Sequence, residues 1–394
     1  MEIYQEVLST ELIRDSSIFN YTDVASFCID RNFTYTPSYL YTNFETVNIL
    51  IILPLLLFLA ILTNLVFIIV VARAPRMRTT TNIYLVSLAL ADLLYTIIGI
   101  TEKLHAYIRS PIYFDSAYSL DLWCAVMPLL KNAGLFASMF LVTVFSYERY
   151  EAVCHPLTKH SLSSKRRALK HITIACVLAL ILAATTVPAF ANRVVACLKK
   201  LAEDEHSDIP DTIILCTPVK QRFELYNDFV QTLPFFLVMI FSNAAYVLII
   251  IEIRGSARDA KLKRADSSRV IQESINITRM LIVNGVVFFI LMAPFHILSL
   301  SGVISSIITG EYLLSEEAFR WIIQVVRVLA YCNAVVDPVI YSAVNPSYRK
   351  AMYQVICSLH ILRRKRSNSF GTYSMSYLLT ERDRRPSNVN ETIT

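Results

Sequence analysis

Asp92, Glu102, Lys131, His296, Arg327 and Asp337 are ionisable residues embedded in long apolar runs. A charge or an imidazole in such surroundings is costly unless it meets a partner, water or a ligand, so each is a functional candidate. Asp92 has a purely structural alternative, hydrogen bonding to Asn64 and its neighbours. Lys131 and Arg327 are cations suited to a carbonyl, a carboxylate or a terminal amide. Glu102 lies ten residues after Asp92 and Arg327 ten before Asp337, at the same predicted depth, and His296 follows Pro294 by two. The alternative is that Glu102 neutralises Lys131 and leaves Arg327 as the cation for a ligand. The chemistry is binding rather than catalysis, because the sequence has no His-x-x-x-His, His-Glu-x-x-His or Gly-x-Ser-x-Gly arrangement.

One stretch carries several of these groups. From Lys131, the residues Leu135, Ser138, Val142, Phe145 and Arg149 follow at alternating steps of four and three, which places them on one helix face. The stretch begins at Cys124 and ends in Glu148-Arg149-Tyr150. The rise over that interval is roughly 37 Å, slightly more than the roughly 30 Å hydrocarbon core of a bilayer. Cys124 and Arg149 are therefore expected at opposite membrane faces.

The elements that must hold this stretch follow from composition. With 394 residues, 55% hydrophobic and 17% charged, and a mean hydropathy of +0.49, the chain reads as an integral membrane protein. Seven stretches have the length and apolarity of spanning helices: 47–72, 83–108, 123–150, 170–191, 226–254, 275–303 and 319–344. Basic residues cluster after the first, third, fifth and seventh, which predicts the N-terminus outside and the C-terminus in the cytosol. The net charge of +6 then belongs to the membrane surface, and nothing supports a nucleic-acid partner.

The organisation expected is an extracellular tail over 1–45, a bundle over 46–345, an amphipathic surface helix over 346–357 and a disordered tail over 358–394. Asn20 and Asn32 open glycosylation sequons in the first tail. Cys357 is a palmitoylation candidate. The serines after Arg364-Lys365-Arg366 are phosphorylation candidates. Four cysteines, Cys28, Cys124, Cys197 and Cys216, fall on the outer side, where a disulfide persists, and allow three pairings.

Seven spans with Asn64, Leu88-Ala89-Leu90-Ala91-Asp92, Cys124, Glu148-Arg149-Tyr150, Pro234, Phe288 with Pro294, and Asp337-Pro338-Val339-Ile340-Tyr341 together resemble a class A (rhodopsin-like) G protein-coupled receptor over residues 45–357. The stretches Met77–Leu88, Glu148–Pro156 and Asp337–Tyr341 are similar to peptide-hormone receptors of the thyrotropin-releasing-hormone and invertebrate FMRFamide group. The resemblance implies an all-α, seven-transmembrane-helix bundle in the plasma membrane. Its partners would be an extracellular peptide, with or without a C-terminal amide, a heterotrimeric G protein, arrestin and receptor kinases at the C-terminal tail, and membrane lipids.

Site residues follow from it. Glu102, Lys131, Asn132, Met292, Phe295, His296 and Arg327 would bind ligand. Lys131 stands where amine receptors carry an aspartate, which argues against an amine. Arg327 matches an arginine of the thyrotropin-releasing-hormone group. Glu148, Arg149, Tyr150 and Tyr341 would form the G protein switch, with Glu148 holding Arg149 at rest. Asn64, Asp92, Ser138, Asn333 and Asp337 would form a polar network able to share a sodium ion, with a proton shared between the two carboxylates as the competing reading. Cys124–Cys216 is the favoured disulfide, leaving Cys28 and Cys197 free or paired with each other.

Three departures stand out. Cys176 replaces a Trp in the fourth span, Met292 a Trp in the sixth and Ser242 a Tyr in the fifth. A transporter would usually carry internal repeats and broken helices; seven glycines and an odd span count argue against one. A non-signalling decoy receptor shares every feature of the pocket and is the nearer rival.

Overall fold

The computed structural model describes residues 27–29, 40–155, 164–198, 210, 212–260, 268–308 and 314–355. Asn20, Asn32, Cys357 and the tail 358–394 lie outside them. Among the described residues seven helices are long and apolar enough to cross a membrane: α1 (Asn43–Arg73), α2 (Thr80–Arg109), α3 (Asp121–Cys154), α4 (Ser164–Thr186), α5 (Arg222–Ala260), α6 (Ser268–Ile308) and α7 (Glu316–Val344). An eighth helix, α8, covers 346–355. The order of elements matches the predicted bundle.

Most helices outrun the apolar windows that announced them. Helical hydrogen bonding continues through polar residues once a turn is nucleated, so hydropathy marks the membrane part and not the helix end. Polar caps set several starts. Thr79 Oγ1 accepts from the Asn82 amide at 3.4 Å to open α2. Thr42 and Glu45 cap α1 reciprocally, the Thr42 amide donating to Glu45 at 2.8 Å and the Glu45 amide to Thr42 at 3.3 Å. Asn345 Oδ1 accepts from the Ser347 and Tyr348 amides at the start of α8. The α4 window runs to residue 191, yet the helix stops at Thr186, and Val187–Ala189 tightens into a 3-10 turn around Pro188, which lacks a donor.

The third helix is central: α2, α4 and α5 all pack on it, while α1 and α6 pack on α7. Its close approach to α2 depends on Gly134, where a Cβ would stand 2.7 Å from the Tyr95 amide nitrogen and 3.1 Å from the Ala91 carbonyl oxygen. The core is an aromatic and aliphatic column that includes Phe67, Tyr84, Phe136, Met139, Phe288 and Tyr341. Leu55, Phe58, Leu62 and Leu65 of α1 are exposed, an apolar outer face suited to lipid.

At the Cys124 end, β1 (Phe27–Ile29), β2 (Asn192–Leu198) and β3 (Thr212–Thr217) make a three-stranded sheet, β1 parallel and β3 antiparallel to β2. A disulfide joins Cys124 of α3 to Cys216 of β3, with Cα atoms 5.4 Å apart. Asp115, in the α2–α3 connection, accepts from the Ile214 amide at 3.0 Å and so ties that connection to β3. At the opposite end α8 buries Tyr348, Ala351 and Val355 and leaves Tyr353 exposed. Burial pushes the Tyr348 phenol up to about 12. The ring lies 5.5 Å from Phe67.

Candidate functional site

A cavity of about 710 Å³, counting its open mouth, lies between the helices at the disulfide end. Glu102 from α2, Lys131 and Asn132 from α3, Phe295 from α6 and Arg327 from α7 line it. These are five of the seven residues that the sequence assigned to a ligand. Lys131 Nζ donates to Glu102 Oε2 at 3.2 Å, so the acid and this cation face each other within the wall. Arg327 Nη1 is buried and has no hydrogen-bond partner. The geometry therefore matches the alternative in which Glu102 neutralises Lys131 and Arg327 keeps donor capacity for a guest.

Asn132 works in two directions. Its amide nitrogen donates to Thr186 at 2.9 Å, and its carbonyl accepts from Gln231 of α5 at 3.3 Å. This chain joins α3 to α4 and α5 across the cavity wall. Tyr118 closes one side of the mouth. Burial, reinforced by the Glu102 carboxylate, pushes its phenol well above the ordinary value, so it remains a neutral donor at any physiological pH.

Met292 and His296 stand elsewhere. Met292 lines a second, smaller cavity of about 230 Å³ directly below, together with Asp92, Ser138, Phe288 and Asn333. Tyr95 and Leu135 line both spaces and so form the partition between them. His296 is fully buried between α5 and α6, its ring stacked on Phe235 at 4.1 Å. Its position two residues past Pro294 gave the right depth but the wrong azimuth, since one helical residue turns the side chain by about 100°.

Three residues of the predicted polar network, Asp92, Ser138 and Asn333, line the lower cavity. Ser138 donates to Asp92 Oδ1 at 2.6 Å. Asn64 donates to the Ala334 carbonyl of α7 at 2.6 Å and to its own Ala60 carbonyl at 2.9 Å. Asp92 Oδ2, Asn333 Oδ1 and both carboxyl oxygens of Asp337 are buried without a hydrogen-bond partner. Four such atoms in one region are all oxygens, which is a donor set that fits a hard cation rather than a soft one.

At the far end Arg149 donates to Thr81 of α2 and its guanidinium lies over the Phe145 ring, 5.6 Å from the centroid. Glu148 Oε1 approaches Arg167 Nη2 of α4 at 3.6 Å. Arg149 is thus steadied by α2, and its acidic neighbour also reaches α4. Tyr341 packs 5.1 Å from Phe67, while Tyr150 stands near His155.

Sequence reading missed a further cluster between α1 and α7. Arg320 of α7 donates to both carboxylate oxygens of Glu45 at 3.0 and 2.5 Å and lies over the Tyr113 ring at 4.3 Å. Gln324 accepts from Asn48 at 2.7 Å and donates to Tyr113 at 3.3 Å. The signal was present: Arg320, Gln324 and Arg327 recur at steps of four and three on one face of α7.

Comparison with known proteins gives a consistent result. Residues 63–341 match the family described as 7 transmembrane receptor (rhodopsin family). The chain is 26% identical over 379 residues to the thyrotropin-releasing hormone receptor of Gallus gallus, covering 89% of this chain and 88% of that protein. It is 28% identical to the allatostatin-A receptor of Bombyx mori over 74% of this chain and 75% of the relative. Against the neuromedin-U receptor 2 of Mus musculus it is 28% identical, with 78% and 74% covered.

Proposed function

The chain belongs to the rhodopsin family of seven-transmembrane receptors, and from that premise we propose that it is a plasma-membrane receptor for an extracellular peptide, signalling through a heterotrimeric G protein. It is a multi-pass membrane receptor and not an enzyme. The observation that carries the peptide reading is the open-mouthed cavity with Arg327 Nη1 buried and unpartnered in its wall. A guanidinium in that state suits a carbonyl, carboxylate or terminal amide at the buried end of a peptide. The similarity to receptors named for thyrotropin-releasing hormone, allatostatin-A and neuromedin-U favours a peptide over an amine. In this reading the N-terminus is extracellular, and the disulfide end receives the ligand.

Transmission follows from the stacking of the two cavities. A guest that presses on Tyr95 and Leu135 acts on the partition above Met292 and Phe288. Outward movement of α6, hinged near Pro294, would open the Arg149 end to the C-terminal helix of a Gα subunit. Agonist need only favour that state, and a preference of about 5.5 kcal/mol inverts a 99:1 equilibrium.

Asp92, Ser138, Asn333 and Asp337 would hold a sodium ion at the lower cavity, where the unpartnered oxygens of Asp92, Asn333 and Asp337 fit one. Its charge would offset the mutual repulsion of two carboxylates. Ser138, already bonded to Asp92, fixes the orientation of that carboxylate.

Nucleotide exchange on purified heterotrimers, driven by membranes bearing the full chain and screened against a peptide library, tests the proposal. Peptide-dependent exchange is expected. Peptide binding with no exchange for any Gα class would indicate a decoy receptor.

A further inference from the structure

The sheet at the disulfide end contains a juxtaposition that the pocket and the switch do not use. In the parallel pairing of β1 with β2, Phe27 stands opposite Ala196, Cys28 opposite Cys197 and Ile29 opposite Leu198. Neighbouring strands run about 4.8 Å apart. Bridged cysteines have Cα atoms about 4.4–6.8 Å apart. Residues in register on adjacent strands share a face of the sheet, so the backbone already holds Cys28 and Cys197 where a bridge requires them.

The next strand already carries a disulfide. β2 is paired with β3, Arg193 standing opposite Cys216, and Cys216 is bonded to Cys124. A disulfide at this end suits a compartment where thiols are oxidised and disulfides persist. Two cysteines left in register four residues along the same sheet face the same conditions.

We propose that Cys28 and Cys197 form a second disulfide, which fastens the amino-terminal strand to the hairpin over the pocket mouth. Two thiols lose two protons and two electrons as the S–S bond forms. The electrons pass to a disulfide of the oxidising machinery of the secretory compartment, which is reduced to a dithiol. Two covalent links would then run in series, α3 to β3 through Cys124–Cys216 and β2 to β1 through Cys28–Cys197, with the β2–β3 ladder between them. The β1 strand also covers the β2 edge that would otherwise stand open for pairing. Its loss would loosen the hairpin that contributes Cys216 to the pocket wall.

The test is disulfide mapping of the full chain purified from membranes, alkylated without reduction, digested and analysed by mass spectrometry. A cross-linked pair carrying Cys28 and Cys197, which separates on reduction, is the expected result. Recovery of the two as alkylated monomers, or of either joined to a different cysteine, would overturn the proposal. Thiol labelling of Cys28→Ser gives a second readout that needs only expressed protein. Cys197 should be unreactive to maleimide in the unaltered chain and reactive in this variant. A Cys197 that labels equally in both would also overturn it.

Discussion

Tyr246 of α5 occupies the notch that Gly285 leaves on α6. A Cβ at Gly285 would stand 2.6 and 2.8 Å from two carbons of the Tyr246 ring. The phenol is hydrogen-bonded to Ser146 of α3 at 2.9 Å, three residues before Arg149. One side chain thus fastens α5, α6 and α3 one turn from Arg149, four residues past Ser242, where the family carries its tyrosine. Gly285→Ala should therefore lower thermal stability by about 1–3 kcal/mol, the usual cost of overpacking. It should also change agonist-independent nucleotide exchange, because α6 must shift against α5 to admit the methyl group. In a Tyr246→Ala background the same change should cost little. Equal losses in both backgrounds, by thermal melts in detergent, would show that the two residues do not interact.

Glu45 and Arg320 form an ion pair that is 2% and 6% exposed, across α1 and α7. Removing one partner strands a buried charge, which typically costs about 3–5 kcal/mol. Glu45→Ala and Arg320→Ala should each reduce surface expression and melting temperature sharply. The double variant Glu45→Ala/Arg320→Leu should recover much of the loss. A double variant as damaged as the sum of the singles would assign the residues separate roles.

The legibility of this molecule in its sequence follows hydrogen-bonding range. Spans, their order and the landmark residues are written in local composition, because backbone groups in a bilayer must be satisfied within each helix. The depth of Glu102, Lys131 and Arg327 was likewise local, a count of residues from Asp92, Cys124 and Asp337. Azimuth was not. His296 and Met292 share the depth zone of α6, but whether either faces the upper cavity depends on how α6 rotates against α5, and the Phe235–His296 stack decides that. The Arg320–Glu45 pair joins residues 275 positions apart and leaves no periodic trace on the Glu45 side beyond the Thr42 capping box. The amino-terminal segment was expected to be a solvated tail. The structure instead pairs 27–29 with β2, a contact no local pattern announces.

A cation held by Asp92 and Asp337 should make agonist affinity depend on sodium. Replacing choline by sodium at constant ionic strength is expected to weaken agonist binding to the unaltered receptor, since the ion favours the closed packing around the carboxylates. Asp92→Asn should abolish that difference, and Ser138→Ala should reduce it by removing the 2.6 Å bond that orients Asp92. Agonist isotherms that coincide in the two salts would exclude a sodium site and favour the shared proton.

Arg327 offers the sharpest division between folding and recognition. Its Nη1 has no internal partner, so truncation breaks no bond from that nitrogen within the protein, whereas the pair of Lys131 and Glu102 is satisfied within the wall. Arg327→Ala should leave surface expression near normal and reduce agonist potency by roughly one to two orders of magnitude, the worth of a hydrogen bond to a charged group. Arg327→Lys should recover only part of it, because a point charge cannot reproduce the planar fork. Lys131→Ala should behave differently. It strands Glu102 beside Arg327, so the guanidinium is drawn to an internal acid and potency falls by competition. Glu102→Gln added to Lys131→Ala should then restore potency toward normal, but should do nothing for Arg327→Ala. Concentration–response curves for the five variants separate the two routes, and an Arg327→Ala curve superimposed on the unaltered receptor would remove this arginine from the binding site.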